Sequence, residues 1–307
     1  MIKLNKEKNA SLIGVVCAVL CEVIFGASFL FTKTATENNS VFSLLGWRFA
    51  VAFAVMCLLA ALKIIKINLK GRAILRLLPL ALCHPVLYFI GENFGIHYTT
   101  ASESGIFIAV IPVTAMAASA LILHKKPTKL QAAGIVVSLV GVVITVLSVG
   151  INASFSPLGY ALLLLSVLSF SVFSALSERA SGYTASEKTF VMLMSGTVVF
   201  VLAALTESFI CGSTSELVTL PFHDTNFLFA VLFQGIGCSV IAFMCSNKAI
   251  ANIGVTRTAS FVGISTVVSI VLSALLLGEK LTVLQIVGAA VIMAGVYIAN
   301  AVQKKKS

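Results

Sequence analysis

Glu22 has the clearest chemical potential in this sequence because it is a carboxylate at the centre of an apolar run. The run covers residues 11–32, so Glu22 lies roughly 15 Å from either end of a helix that rises 1.5 Å per residue. Ionisable side chains at such depth in a lipid-facing segment are costly and mark functional sites. Two interpretations stay open: Glu22 binds a substrate ammonium or a proton, or it pairs structurally with Arg48 of the next apolar run. Phe29 lies on the same helical face, seven residues after Glu22.

A second group of polar side chains follows one stripe of the third apolar run. His84, Tyr88 and Glu92 recur at intervals of four residues, which places an imidazole, a phenol and a carboxyl group on one helical face. Such a stripe could pass a proton or coordinate a polar substrate. The alternative is that Glu92 is hydrated near the boundary of the membrane and that His84 packs beside Pro85.

The charges near one boundary of the apolar runs predict the kind of solute that could enter. Glu103 begins the fourth run at the level of Glu92, and together with Glu22 these residues form an acidic entrance that Arg48 partly offsets. An acidic entrance favours a small cationic or zwitterionic solute over phosphates or carboxylates. Gln234 is the candidate from the second half of the chain, although Gln also joins membrane helices without any ligand.

Motifs for other chemistry are missing from the sequence. No GxSxG, HExxH or GxxxxGK[ST] pattern occurs, and the seven cysteines show no zinc-ligand spacing. We therefore expect neither an enzyme nor a bound cofactor or metal. The net charge of +10 does not indicate a nucleic-acid partner, because the basic residues are distributed as expected for the cytoplasmic loops of a membrane protein.

Composition decides which elements carry these residues. Hydrophobic residues make up 59% of the 307 residues and charged residues only 10%, against about 25% charged in globular proteins. At roughly 20 residues per membrane span, the chain holds about ten spans. The sequence therefore predicts an all-α integral membrane protein, with apolar stretches at about 11–32, 41–62, 74–96, 101–123, 129–149, 157–178, 187–207, 227–248, 255–277 and 282–302.

Basic residues predict the orientation of these spans. The N-terminus, the even-numbered connections and the C-terminus hold 18 of the 21 Lys and Arg residues, and the odd-numbered connections hold two. Lys and Arg concentrate in cytoplasmic loops. We therefore expect both termini in the cytoplasm, a basic face against anionic lipid, and a multi-pass location in the cell membrane.

An internal repeat divides the chain into two halves. When residues 123–144 are compared with the residues 154 positions later in the chain, ten are identical. Nearer the N-terminus, Gly14 of the first predicted span matches Gly159 of the sixth. The repeat units are predicted to be residues 1–150 and 151–307, with five spans each. Because five is odd, the second unit would enter the membrane from the opposite side, and such inverted repeats are the architecture of secondary transporters.

The same residues carry a family resemblance. The stretches HKKPTKLQAAG and LLLGEKLTVLQIVGAAVIMAG, with FGASFLFTK and Arg48 in GWRFAVAF, resemble the paired EamA repeats of the drug/metabolite transporter superfamily. The sequence departs from that pattern at Phe25, Lys125 and Thr266, where a Trp, an acidic residue and a Pro are usual. The resemblance implies a ten-helix carrier whose central cavity is lined by spans 1, 3, 4, 6, 8 and 9. Relatives move amino acids, amines, nucleotide sugars and organic phosphates.

Taken together, these features predict a secondary active transporter. We expect export of a small organic solute, an amino acid or amine, by alternating access and with coupling to protons. An exchanger or facilitator without proton coupling, and a channel or lipid scramblase, remain as alternatives. The sequence leaves open whether the chain forms a homodimer.

Overall fold

The computed structural model describes residues 2–36, 38–69, 74–98, 107–108, 110–149, 156–276 and 282–301, and these ranges contain helices but no β-strand. The helices of the first half are α1 (Ile2–Thr36), α2 (Val41–Ala61), α3 (Leu78–Ala81), α4 (Tyr88–Tyr98), α5 (Ile111–Leu123) and α6 (Lys129–Val149). Those of the second half are α7 (Pro157–Arg179), α8 (Ala185–Ile210), α9 (Thr214–His223), α10 (Thr225–Leu232), α11 (Phe243–Ile253), α12 (Val255–Ala259), α13 (Gly263–Leu276) and α14 (Val283–Asn300).

Six helical stretches in the described part of the chain are long and apolar enough to cross a membrane. They are Asn9–Ser28, Val41–Ala61, Pro157–Arg179, Ala185–Ile210, Thr225–Ile253 and Val283–Asn300. Two shorter apolar helices are Ile111–Leu123 and Lys129–Ile144. The expectation of an all-helical chain with several membrane-length helices is thus confirmed.

Two of the segments predicted as single spans are divided. The third consists of a 3₁₀ turn at Ile74–Arg76, then α3, a π-helical stretch at Leu82–Leu87 and α4. The ninth is divided into α12 and α13. A second π-helical stretch, Phe233–Ala242, joins α10 to α11 within one continuous helical segment. Such π-helical insertions are frequent at functional sites.

The repeated Thr and Gln residues form equivalent helix caps. At the start of α6, Gln131 N–H donates to Thr128 Oγ1 at 3.2 Å, and Thr128 N–H donates to Gln131 Oε1 at 2.9 Å. Thr282 and Gln285 form the same pair of bonds at the start of α14, at 3.2 and 2.8 Å. Each capping box satisfies two backbone donors that the first helical turn leaves free. The identities between the two halves therefore encode where two helices begin.

The repeated glycines allow α6 and α14 to pack along each other. A Cβ atom at Gly134 would lie 2.6 Å from the carbonyl oxygen of Gly295, and one at Gly295 would lie 2.3 Å from the backbone nitrogen of Ser138. Farther along α6, Gly141 faces Ile292, so α14 runs in the opposite direction. Small residues permit such close backbone approach in membrane helices, where van der Waals packing is the main source of association.

A second pair of helices from opposite halves forms the centre of the bundle. A Cβ atom at Gly46 of α2 would lie 2.9 Å from the Cβ of Ala204 of α8. The Phe49 and Phe200 rings, both fully buried, have centroids 5.1 Å apart, and Thr197 Oγ1 donates to the carbonyl of Phe49 at 2.8 Å. The packing of α2 against α8 fixes the position of Arg48, the residue next to Phe49.

Replacing Gly295 by Val tests the contact between α6 and α14. The added side chain would overlap the α6 backbone, and overpacking of this kind costs about 1–3 kcal/mol. We expect the melting temperature of the detergent-solubilised protein to fall by several degrees. Gly182→Val is the control, because no atom lies within 4 Å of a Cβ placed there. Equal melting temperatures for the two variants would contradict the packing described.

Candidate functional site

A cavity of about 860 Å³, including the space at its open mouth, lies between helices of both halves. Its walls combine three phenylalanine rings with charged and neutral polar groups. The aromatic residues that the cavity adds to the sequence candidates are Phe25, Phe89 and Phe170, and its polar lining consists of Glu22, Ser28, Thr32, Arg48, His84, Tyr88, Glu92, Asn93, Gln234 and Ser265.

Glu22 lies in this cavity at the contact between α1 and α13. Its side chain is buried and lies beside the hydroxyl of Ser265. The two helices approach closely because Gly26 faces α13: a Cβ atom there would lie 2.5 Å from the carbonyl oxygen of Ser265. Among the described residues Glu22 has no ion-pair partner, so the structure does not form the structural pair with Arg48 that the sequence offered as an alternative.

Arg48 is instead bound by neutral groups of the second half. Its Nε donates to Ser239 Oγ at 2.8 Å and its Nη1 donates to Gln234 Oε1 at 3.0 Å. The guanidinium carbon lies 4.5 Å from the centroid of the Phe89 ring, a cation–π contact. Gln234 Nε2 donates in turn to Thr32 Oγ1 at 3.0 Å. This network orients the guanidinium in the cavity wall, and no carboxylate of the described residues lies within ion-pair distance of it.

His84 lies at the break between α3 and α4, and Pro85 explains the break. Proline lacks an N–H donor and disfavours helical geometry in the residue before it. His84 accordingly has φ −143° and ψ 116° inside the π-helical stretch. The spacing of four residues from His84 to Tyr88 is therefore not that of a regular helix. The two rings nevertheless remain in contact, with centroids 4.9 Å apart.

Aromatic rings enclose the His84 imidazole. Its centroid lies between 4.8 and 5.6 Å from those of five neighbours, namely Tyr88, Phe89, Phe170, Phe173 and Phe243. Its Nδ1 atom is buried and has no hydrogen-bond partner within the described ranges. Because buried polar atoms nearly always have partners, this nitrogen and the cavity it borders suit a ligand or a bound water.

Tyr88 and Glu92 lie on one face of α4, as their spacing predicted, and form a hydrogen bond. Tyr88 Oη donates to Glu92 Oε1 at 2.7 Å, one helical turn apart on α4. The bond occupies one carboxyl oxygen and orients the other. The helix is held against α7 by Gly91, where a Cβ atom would lie 2.6 Å from the carbonyl oxygen of Leu162.

Six of the eight predicted site residues thus line one cavity: Glu22, Arg48, His84, Tyr88, Glu92 and Gln234. Glu103 and the side chain of Phe29 lie outside the described parts of the chain. Sequence reasoning missed Ser28 and Thr32, which lie on the same segment as Glu22, and Ser265, which lies on a segment without any predicted site residue. The only signal for Ser28 and Thr32 was helical spacing, since Thr32 follows Ser28 by four residues and Phe25 by seven.

Lys188 belongs to a separate buried polar cluster. The sequence assigned it to a connection at the basic face, but its side chain is only 1% exposed. Its Nζ donates to the carbonyl oxygen of Ser177, and Ser177 Oγ donates to Asn247 Oδ1 at 2.7 Å. Asn247 Nδ2 donates to Thr189 Oγ1 at 3.2 Å. The cluster joins α7, α8 and α11. Its hydrogen bonds provide the polar contacts that allow the Lys188 ammonium to be buried.

The cavity can hold a small polar solute but shows no metal-ligand geometry. No group of three His, Cys, Asp or Glu residues among the described residues is arranged to hold a metal ion. Two carboxyl groups and one guanidinium face the same space, together with hydroxyl and amide groups. A largely buried, partly aromatic cavity within a bundle of membrane-length helices is the arrangement expected of a transport protein in a membrane.

Comparison with known proteins agrees with that class. The model of the EamA-like transporter family matches residues 12–147 and again residues 157–301. The chain belongs to the EamA-like transporter family, and it is a multi-pass membrane transporter rather than an enzyme.

Relatives with curated names are also transporters. The chain is 31% identical to a protein named "Uncharacterized transporter YcxC" of Bacillus subtilis, over 95% of this chain and 94% of that one. It is 22% identical to a "Probable amino-acid metabolite efflux pump" of Salmonella typhimurium, over 92% of each chain. The Escherichia coli protein of the same name is 23% identical over 92% of this chain and 93% of that one.

A solved structure shares the fold. It covers 95% of this chain and 98% of its own, with a TM-score of 0.75 and 17% sequence identity. At that identity the likeness concerns the fold alone.

Replacing Arg48 by Lys tests the network around the guanidinium. An ammonium cannot donate in the same fork to Ser239 and Gln234 and stacks less well on an aromatic ring. Charged hydrogen bonds are worth about 1.5–3 kcal/mol each. We expect a melting temperature several degrees below that of Arg76→Lys, a control at an exposed arginine. A melting temperature for Arg48→Lys equal to the control's would show that the network contributes no stability.

Proposed function

We propose that this protein is a secondary active transporter that exports a small zwitterionic or cationic solute, an amino acid or amine. The observation that carries the proposal is the set of charges in the cavity. Glu22 and Glu92 supply two carboxyl groups, and Arg48 supplies a guanidinium that forms no ion pair with either of them among the described residues. A solute bearing an ammonium and a carboxylate can satisfy both signs at once.

The relatives support the choice of solute class. Two proteins that align with more than nine-tenths of this chain have names that describe amino-acid metabolite efflux. The rings of Phe25, Phe89 and Phe170 provide apolar surface in the same cavity, so the solute would carry an apolar or aromatic part beside its charged groups.

We further propose that the chain consists of two inverted five-span halves that alternate access to this cavity. The family model matches once in each half. Helix pairing supports the proposal, because equivalent helices make equivalent contacts. The α2 helix packs on its counterpart α8, and α6 on its counterpart α14. The counterpart of α1 is α7, that of α4 is α11, and that of α5 is α13. The contact of α1 with α13 therefore corresponds to that of α7 with α5, and the contact of α1 with α11 corresponds to that of α7 with α4.

The orientation follows from the charges. With the basic N-terminus, C-terminus and even-numbered connections in the cytoplasm of the cell membrane, the connection between α1 and α2 would face outward. The cavity residues Thr32 and Leu44 lie near that connection. The cavity would then open toward the outside in this conformation.

Glu22 is the residue we assign to proton coupling. A carboxyl group in an apolar cavity can be neutralised by a bound proton or compensated by a bound cation, and it does not need both at once. Exchange of a proton for the solute at Glu22 would couple their movements in opposite directions.

Glu22→Gln tests this assignment. We expect uptake of radiolabelled amino acids into proteoliposomes to be saturable for the wild type and to increase with an imposed pH gradient. The variant should retain solute counterflow but lose the effect of the gradient, because an amide cannot exchange a proton. Glu216→Gln provides a matched control at an exposed carboxylate on α9.

Three results would contradict parts of the proposal. An undiminished effect of the pH gradient in Glu22→Gln would exclude Glu22 as the coupling residue. Wild-type counterflow without any gradient effect would favour an exchanger that does not use protons. Flux that never saturates would favour a channel or a scramblase.

A further inference from the structure

Lys125 and Glu178 join the two halves at the ends of α5 and α7 that lie away from the residues lining the first cavity. Lys125 Nζ, just after the end of α5, donates to Glu178 Oε1 in the last turn of α7. Glu178 Oε2 accepts the backbone N–H of Val255 at 2.6 Å, where α12 begins. One carboxylate therefore connects three segments, one from the first half and two from the second.

The backbone at Gly254 leaves space for the Glu178 carboxylate. Gly254 precedes Val255 with φ +80°, a conformation that favours glycine. A Cβ atom at Gly254 would lie 3.3 Å from Glu178 Oε2, tighter than ordinary van der Waals contact. The carboxylate thus lies directly against the backbone at this turn.

A second cavity, of about 450 Å³, lies beside this contact. Its walls come from both halves: Ser119 and Gln131 belong to the first, and Glu178 and Thr256 to the second. The α5 and α7 helices each run from the first cavity to the second. Ile111 and Phe170 line the first cavity, and Ser119 and Glu178 line the second, which separates the two by about 12 Å at 1.5 Å per residue.

Tightly packed side chains fill the space between the two cavities. Ala115, Phe173 and Ala259 are buried in the same apolar cluster. Thr114 Oγ1 and Ser171 Oγ share a hydrogen bond of 2.7 Å between α5 and α7. Passage of a solute would therefore require α5 to separate from α7 and α12. The Lys125–Glu178 pair spans that same boundary.

We propose that Lys125, Glu178 and the Gly254–Val255 turn form a gate between the second cavity, which is open to solvent, and the transport cavity, and that release of this gate opens the transport cavity toward this end. The inference rests on the proposed function, since a gate is needed only if access alternates. The ion pair suits this role because Lys125 is 65% exposed. Exposed pairs contribute little stability and can break and reform at small cost.

Thiol labelling at both cavities tests the gate. Ser119→Cys reports on the second cavity and Ser28→Cys on the first. N-ethylmaleimide labelling of the detergent-solubilised protein is quantified at each position by peptide mass spectrometry, so the native cysteines can stay. Adding Lys125→Gln should raise the labelling rate at residue 119 about two- to fivefold, the shift expected from losing an exposed ion pair, and lower it at residue 28.

Two further variants complete the test. Glu178→Gln should act in the same direction, because its amide can still accept the Val255 N–H but no longer attracts Lys125. Lys126→Gln makes the same charge change at the exposed neighbouring residue and should leave both labelling rates unchanged.

The proposal is overturned if Lys125→Gln leaves residue 119 unchanged, or if Lys126→Gln is equally effective. It is also overturned if labelling rises at residue 119 without a fall at residue 28, since that result describes local loosening rather than a switch. None of these readouts needs a solute or a pH gradient. A failure of the gate is therefore distinguishable from a failure of Glu22 in proton coupling.

Discussion

Charged side chains within a lipid-embedded bundle need polar neighbours, and this requirement organises the centre of the molecule. Arg48 meets it through Ser239, Gln234 and the face of Phe89. Because two of these partners lie on the π-helical stretch and one on α4, the guanidinium holds both halves together around the cavity. Glu22 meets the requirement only in part, through Ser265. Both charged groups thus have neutral polar neighbours, and neither forms an ion pair among the described residues.

Close packing around glycine places these groups. Gly26 brings α1 to α13, Gly91 brings α4 to α7, and Gly134 and Gly295 bring α6 to α14. Each contact lets two backbones meet where any side chain would separate them. The first two contacts border the cavity and position Glu22 and Glu92. The α6–α14 contact lies away from the cavity lining and joins the last helix of each half.

Much of this architecture could be predicted from the sequence, because repeated residues form equivalent helix caps and helix contacts. Thr128 and Gln131 match Thr282 and Gln285 because both pairs cap a helix, and the repeated glycines match because they form one interface. Six of the predicted site residues could be found because ionisable or strongly polar groups are rare in apolar segments. The position of each such residue within its apolar segment predicts how deeply the residue lies in the helix bundle.

The sequence could not predict which side chains the buried charged residues contact. Arg48 could equally have reached Glu22, and only the three-dimensional packing of α2 against the second half decides for Ser239 and Gln234. The break at His84 depends on how Pro85 is accommodated, and a proline in a membrane helix predicts a disturbance without its geometry. Lys188 was misplaced because charge patterns assign basic residues to a face and cannot show that Ser177 and Asn247 provide a buried polar environment.

If the charges of this cavity select a solute bearing a cationic group, as we propose, ligands of that class should stabilise the folded protein. A ligand that binds the folded state raises its melting temperature. Thermal unfolding of the detergent-solubilised protein would be followed with amino acids, polyamines, nucleosides and organic phosphates. We expect stabilisation by amino acids or amines, and loss of that stabilisation in Glu92→Gln. Stabilisation by organic phosphates alone would rule out the proposed selection.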